Sequence, residues 1–167
     1  MNRVVVLGPA GAGKTEFAVR LSQATGIPVV HLDPIFWRPG WQPAPRDEAR
    51  SALTAAVAAK RWIVDGNFLG EDDRFRLADA VFFLDLPRLL CISRILARWM
   101  RDRGRRRPDL PDGCAEGFDL SLIRWVWGYR RTDRPRVLGL LAELGDDVEV
   151  HHLRTRAEVA AIVRRNG

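Results

Sequence analysis

Cysteine is scarce: Cys91 and Cys114 are the only two in 167 residues. They have no metal-ligand spacing and suggest no disulfide framework. Histidine is equally thin, and His31, His151 and His152 lack the spacing of a zinc site. No apolar run approaches the roughly 20 residues of a membrane span, so no membrane partner is expected. No leader pattern precedes the first apolar segment, and a cytoplasmic protein is expected. No internal repeat or domain linker divides the chain, which predicts one domain with a substantial core. Lysine is nearly absent, occurring only at Lys14 and Lys60, so the formal charge of +6 rests on arginine.

Those arginines are unevenly spread. Arg94, Arg98, Arg101, Arg103, Arg105, Arg106 and Arg107 crowd one stretch, and Arg124, Arg130, Arg131, Arg134 and Arg136 the next. A guanidinium is a rigid fork matched to phosphate oxygens. The clusters therefore point to a clamp for a nucleotide or to a nucleic-acid surface.

The strongest motif stands at the N-terminus. Val4-Val5-Val6-Leu7 runs into Gly8-Pro9-Ala10-Gly11-Ala12-Gly13-Lys14-Thr15, an apolar strand followed by the G-x-x-x-x-G-K-T phosphate-binding loop. Glycines let backbone N–H groups curl around a phosphate, and the helix that follows aims its positive end at the same charge. Lys14 is expected on the β- and γ-phosphates of ATP and the Thr15 hydroxyl on Mg²⁺. Glu16, in the first helical turn, completes the residues assigned to the nucleotide.

Five strands are expected. Four are Val4 to Leu7, Val29 to Leu32, Trp62 to Val64 and Val81 to Leu84, and the fifth runs from Val148 to His151. Helices are predicted from Lys14, after Pro45, from Pro87, from Asp119 to Tyr129, from Asp133-Pro135 and from Thr155, where Thr155 and Glu158 form a capping box. Residues 34–45 read as a loop rich in Pro and Trp. Alternation of short apolar strands with helices predicts an α/β fold with a parallel sheet covered on both faces.

Ligands in such sheets sit at the carboxyl ends of the strands, where Gly8, Asp33, Asp65 and Asp85 fall. Asp33 is the candidate to orient or deprotonate an acceptor hydroxyl. Asp65 is the candidate to hold Mg²⁺ or the acceptor, whereas Asp85 reads as a cap for the next helix. His31 reads as a partly buried core residue. Trp37 and Trp41 suggest either a stacking platform or packing of their loop. Trp125, Trp127 and Tyr129 read as core. Arg94 and Arg98, one helical turn apart, are expected to face the nucleotide, Arg94 flat on the base and Arg98 on the transferred phosphoryl group. Residues 104–117 resemble a lid that excludes water.

Several segments together resemble adenylate kinases and related small kinases: Gly8 to Thr15, Asp65-Gly66, and Ser93-Arg94-Ile95-Leu96-Ala97-Arg98. A closer likeness is to the bacterial proteins labelled DNA topology modulation proteins, an adenylate-kinase-related group. It is carried by His31-Leu32-Asp33, Phe36-Trp37, Pro39-Gly40-Trp41, Trp62-Ile63-Val64-Asp65-Gly66-Asn67 and Phe83-Leu84-Asp85-Leu86-Pro87-Arg88. Arg107-Pro108-Asp109, Gly113-Cys114 and the stretch from Trp125 to Arg131 extend it over nearly the whole chain. The resemblance implies a three-layer P-loop fold with strand order 2-3-1-4-5, ATP with Mg²⁺, and a lid at about 101–117. It also implies Arg94 near the adenine, Arg98 on phosphates, further phosphate contacts from Arg130, Arg131 or Arg134, and the loop around Arg154 near the base. One departure stands out. Adenylate kinases carry Asp-Gly-Phe-Pro-Arg after the third strand, and here Asp65-Gly66-Asn67-Phe68 has neither that Pro nor that Arg. Arg74 and Arg76 are the candidates to stand in.

The expected activity is transfer of the ATP γ-phosphate to a small acceptor, with a nucleoside or nucleotide as the leading class. The alternative is an ATP-dependent regulatory protein that binds nucleic acid through its arginines and affects DNA topology, although no DNA-reading motif is visible. Monomer and homodimer both fit the apolar, aromatic helix from Leu120 to Tyr129.

Overall fold

A computed structural model describes residues 1–68, 73–102 and 118–165. Beyond Asp102 the expected lid, with Arg105, Arg106 and Arg107, lies outside those residues. The described elements are β1 (Arg3–Leu7), α1 (Lys14–Thr25), β2 (Val29–His31), α2 (Asp33–Phe36), β3 (Trp37–Arg38), β4 (Gln42–Pro43) and α3 (Arg46–Val57). They continue with β5 (Trp62–Asp65), α4 (Arg74–Leu77), β6 (Ala80–Leu84), α5 (Arg88–Asp102), α6 (Leu120–Ala142), β7 (Glu149–Leu153) and α7 (Arg156–Arg165).

Five strands form one parallel sheet in the order β2-β5-β1-β6-β7. With the small β3–β4 hairpin set apart, this is the expected order 2-3-1-4-5. Consecutive strand residues point to opposite faces, so both faces must be covered and the strands read as unbroken apolar runs. Val4, Val6, Phe82 and Leu84 pack with Phe17 and Leu21 of α1, and Val159, Ile162 and Val163 of α7 lean on the same cluster. Val5, Leu7, Val64, Val81 and Phe83 pack with Leu53 and Val57 of α3 and Val137 of α6. The Phe17 and Phe82 rings lie 5.1 Å apart, a tilted contact that adds about 0.5–1.5 kcal/mol beyond area burial. The capping box is present: Glu158 N–H donates to Thr155 Oγ1 at 3.2 Å and Thr155 N–H to Glu158 Oε2 at 3.2 Å. No helix among the described residues is long and apolar enough to cross a membrane.

Three expectations need correction. Residues 34–45 are not a plain loop. Pro34 sits in the first turn of α2, where a missing N–H costs nothing, and Trp37 pairs with Pro43 and Arg38 with Gln42 in a hairpin. The two helices expected at 119–129 and from Asp133 are one helix, α6, which runs through Pro135. An internal proline costs roughly 3 kcal/mol. Burial of Val126, Tyr129 and Val137 on either side of it offsets that cost, and Asp133 accepts from Trp125 Nε1 at 3.0 Å instead of starting a helix. Trp127 is not core: it is exposed, with the Arg88 guanidinium 4.0 Å above its ring.

Asp119 caps α6 as expected, accepting from Ser121 N–H at 2.7 Å and Leu122 N–H at 3.2 Å. The Ser121 hydroxyl, followed by these backbone donors, holds its carboxyl below the usual aspartate value. Stabilisation by the cap is thus complete above the unfolded-state value and fades as pH falls through the lowered folded one. Asp119→Ala is expected to cost about 1 kcal/mol, a drop of roughly 2–4 °C in Tm at neutral pH. The difference from wild type should shrink in acid, as thermal melts across pH 2–7 will read.

Candidate phosphate-binding site

The loop from Gly8 to Thr15 leaves the carboxyl end of β1 and opens α1. Gly8, Gly11 and Gly13 all have positive φ. Gly13, the residue before the helix, offers no side-chain cap, so the first N–H groups of α1 are left for a ligand. Gly11 lies against α5, where a Cβ would meet the Cys91 carbonyl oxygen at 2.2 Å. Arg94 braces the same stretch, donating from Nη1 to Ala12 O at 3.1 Å and Gly11 O at 3.4 Å. The structure thus engages Arg94 with the loop carbonyls instead of laying it out flat for a base.

Lys14 curls back over the loop and donates from Nζ to Gly8 O at 2.8 Å and Pro9 O at 3.2 Å. Burial lowers its pKa from the ordinary lysine value and Arg98 lowers it further, while Asp65 and then Asp33 oppose the shift. Those influences come from two carboxylates, Asp33 of α2 and Asp65 of β5, and from the Arg98 guanidinium of α5. Asp33 is half-buried and opens α2, where the sequence placed it at the end of a strand. Asp65 is 5% exposed. Its Oδ1 meets His31 Nδ1 at 3.1 Å, and its Oδ2 is buried with no hydrogen-bond partner among the described residues. A buried, unpaired carboxylate oxygen beside a phosphate loop fits a hydrated Mg²⁺, which needs one or two carboxylates and otherwise keeps its waters. Thr15, the candidate hydroxyl ligand for the same ion, lies in the first turn of α1.

Two assigned residues are not brought to this cluster. The Glu16 side chain is exposed and paired with Arg20 at 2.7 Å. Arg154 is exposed and engaged with His152 Nδ1 at 3.4 Å, beside a separate cleft. Asp85 does not cap α5. It is buried and binds Arg134 Nε at 2.8 Å and His152 Nε2 at 2.8 Å.

Sequence reasoning passed over two residues. Asn67 Oδ1 accepts from Gly8 N–H at 3.0 Å and so ties the loop to the end of β5. Its only sequence signal is its place directly after Asp65-Gly66. His31 orients Asp65, although it reads as a core residue. Of the two candidate acceptor arginines, Arg74 is fully buried with its Cζ 4.6 Å from the Phe75 ring centre, whereas Arg76 is exposed and paired with Asp73 at 2.9 Å. Phe36, at the end of the α2 turn that Asp33 opens, stacks on Phe68 with ring centres 4.0 Å apart at 9°, and Trp37 lies edge-on to Phe68 at 6.3 Å.

The isopentenyl transferase family model matches residues 1–38, the segment that carries the phosphate loop. The chain is similar to adenylate kinase of Mycolicibacterium paratuberculosis, 32% identical over 112 residues, which are 61% of this chain and 57% of that protein. Adenylate kinase of Mycobacterium tuberculosis is 31% identical over the same shares. The chain thus spans little more than half the length of the curated relatives it matches. Among solved structures, a sugar kinase from Janibacter sp. aligns with 99% of this chain and 91% of its own at a TM-score of 0.54 and 18% identity. Shikimate kinase of Bacteroides thetaiotaomicron aligns with 98% and 95% at a TM-score of 0.54 and 15% identity. The folded chain has the three-layer P-loop α/β architecture on which such small kinases are built.

Proposed function

We propose that the chain is an ATP-dependent kinase that phosphorylates a small acceptor, with a nucleoside or nucleotide as the acceptor class. The observation that carries this reading is Lys14 curled over a glycine-rich loop, with the buried, unpaired Asp65 Oδ2 at the end of β5, the strand beside β1. ATP phosphates would lie on the N–H groups of residues 8–15. Lys14 and Arg98 would neutralise charge on the transferred group, which needs donors already in place. Thr15 and Asp65 would hold Mg²⁺, which would supply positive charge to offset that of the phosphates. Asp33 accepts the acceptor's hydroxyl proton as its oxygen bonds to the γ-phosphorus and the bond to the ADP oxygen breaks. The Phe36, Phe68 and Trp37 rings support an acceptor with a planar base. Membership of the topology modulation group and a cytoplasmic location, where ATP is available, belong to the same proposal.

The test is ADP release from Mg-ATP across nucleosides, nucleotides, sugars and small hydroxy acids, run beside Asp33→Asn. One class, a nucleoside or nucleotide, should stimulate release, and Asp33→Asn should lower the stimulated kcat by about 10²–10⁴-fold. Release that no acceptor changes would reject the kinase, and stimulation confined to sugars or hydroxy acids would reject the acceptor class.

A further inference from the structure

Gly8 opens the phosphate loop, and its backbone is held on both sides. Its N–H donates to Asn67 Oδ1 at 3.0 Å, and its carbonyl accepts from Lys14 Nζ at 2.8 Å. A glycine at φ of +146° has wide backbone freedom, so this peptide stays in place only if a partner outside the loop fixes it. Asn67 is that partner.

The main chain brings Asn67 to the loop. Gly66 N–H donates to Val6 O at 3.2 Å, which continues the pairing of β5 with β1 up to the residue before Asn67. What remains free is the side chain. An asparagine amide has one acceptor oxygen and a nitrogen with two donors. Gly8 N–H is a donor, so Oδ1 must face it and Nδ2 is left for a second partner. The plane of the amide is fixed once Nδ2 has an acceptor.

Tyr129 of α6 offers one. Its Oη is buried, and no group among the described residues stands at full hydrogen-bonding distance from it. The ring is locked in the core beside Val5, Leu7 and Phe83 and edge-on to Trp125 at 5.4 Å. Burial pushes the phenol's pKa up, and hydrogen bonding from the Asn67 side chain is the largest opposing influence, while Asp133 and Asp85 add to the rise. The phenol is therefore neutral, with its oxygen beside the Asn67 amide. A buried hydroxyl without a partner is costly, so drawing Nδ2 toward it is favourable.

We infer that Asn67 is a positioning residue of the phosphate loop: steadied by the Tyr129 hydroxyl, its amide fixes Gly8, and Gly8 fixes the resting place of Lys14. The inference rests on the reading of residues 8–15 as a nucleotide loop, and not on phosphotransfer. It makes α6, which supplies no residue to the loop, a determinant of how far the loop is prepared before phosphate arrives.

The test combines calorimetric titration of Mg-ATP with amide proton–nitrogen spectra. Asn67→Ala should weaken Mg-ATP binding by about tenfold, the loss expected when a preorganised loop is loosened. Tyr129→Phe keeps the ring and its packing. It should weaken binding by about threefold and move the Gly8 amide resonance, although its link to Gly8 runs through Asn67. With Lys14→Ala already in place, Asn67→Ala should cost less than about twofold more, because groups acting through one another are not additive. A residue that only stiffens the fold would weaken binding equally with and without Lys14. Thermal melts identify a misfolded variant; should Asn67→Ala misfold, Asn67→Leu, of similar size and without the amide, must meet the same thresholds. The inference is overturned if Tyr129→Phe leaves the Gly8 resonance and the affinity at wild type, or if Asn67→Ala costs its full factor without Lys14. Wild-type affinity in Lys14→Ala alone would reject the nucleotide reading of the loop, and the Gly8 resonance in Tyr129→Phe would still decide the link to α6.

Discussion

Lys14→Ala should lower kcat/KM for Mg-ATP by about 10²–10³-fold, the loss expected when one preorganised donor is taken from a charge-developing site. The side chain is already curled over the loop, with Nζ on the Gly8 and Pro9 carbonyls. Arriving phosphate replaces neutral acceptors by charged ones, and charge-assisted bonds are about twice as strong. Lys14→Arg should not rescue, because a planar fork cannot occupy the place of a compact ammonium between two carbonyls. Burial lowers the Lys14 pKa from its ordinary 10.5, against the opposing pull of Asp65 and Asp33. The working form is the charged one, so activity is present below the lowered value and falls as pH rises through it. The alkaline limb of the pH–kcat/KM profile should therefore set in below the ordinary lysine range and be absent from the residual activity of Lys14→Ala. An unchanged limb in the variant would assign that titration to another group.

The parts of this site that were legible in the sequence are local. Strands buried on both faces appear as apolar runs, so Val4 to Leu7 and Val81 to Phe83 announce themselves. A phosphate loop and a capping box are each written within a few residues. What escaped depends on distant partners. Asp85 before Pro87 has the local form of a cap, yet its partners Arg134 and His152 lie 49 and 67 positions away. Asn67 reaches Gly8 across 59 positions. Asp133 and Pro135 resemble a helix start, and only the burial of Val126, Tyr129 and Val137 along one side makes α6 continuous. Trp127 shows the reverse: an aromatic among apolar neighbours reads as core, but its position on α6 turns it outward to Arg88. The spacing of Arg94 and Arg98 predicts a shared direction, while the atoms that Arg94 touches, Gly11 O and Ala12 O, follow from where α5 crosses the loop.

That crossing also sets the second large effect. Gly11→Ala should lower Tm by about 5–15 °C and weaken nucleotide binding by more than tenfold. The residue has φ of +78°, and a Cβ there would stand 2.2 Å from the Cys91 carbonyl oxygen and 2.9 Å from its carbon. Left-handed backbone costs an L side chain about 1–2 kcal/mol. Forcing an extra carbon into packed surroundings adds about 1–3 kcal/mol. Each kcal/mol is worth about 2–4 °C in a domain of this size. The obstructing atoms are backbone, so no rotamer relieves the overlap, and either the loop or α5 must move. Moving the loop disturbs the Lys14 contacts and the brace from Arg94, which is why binding falls with stability. Gly26→Ala is the control: its φ is +67° with nothing within 4 Å of the added carbon, so it carries the backbone strain alone. Thermal melts and nucleotide titration of the two variants separate the terms. Equal losses at both positions would show that strain dominates and that the contact between the loop and α5 yields easily. A much larger loss at Gly11 would show the loop clamped against α5, so that anything displacing the start of that helix also changes nucleotide affinity.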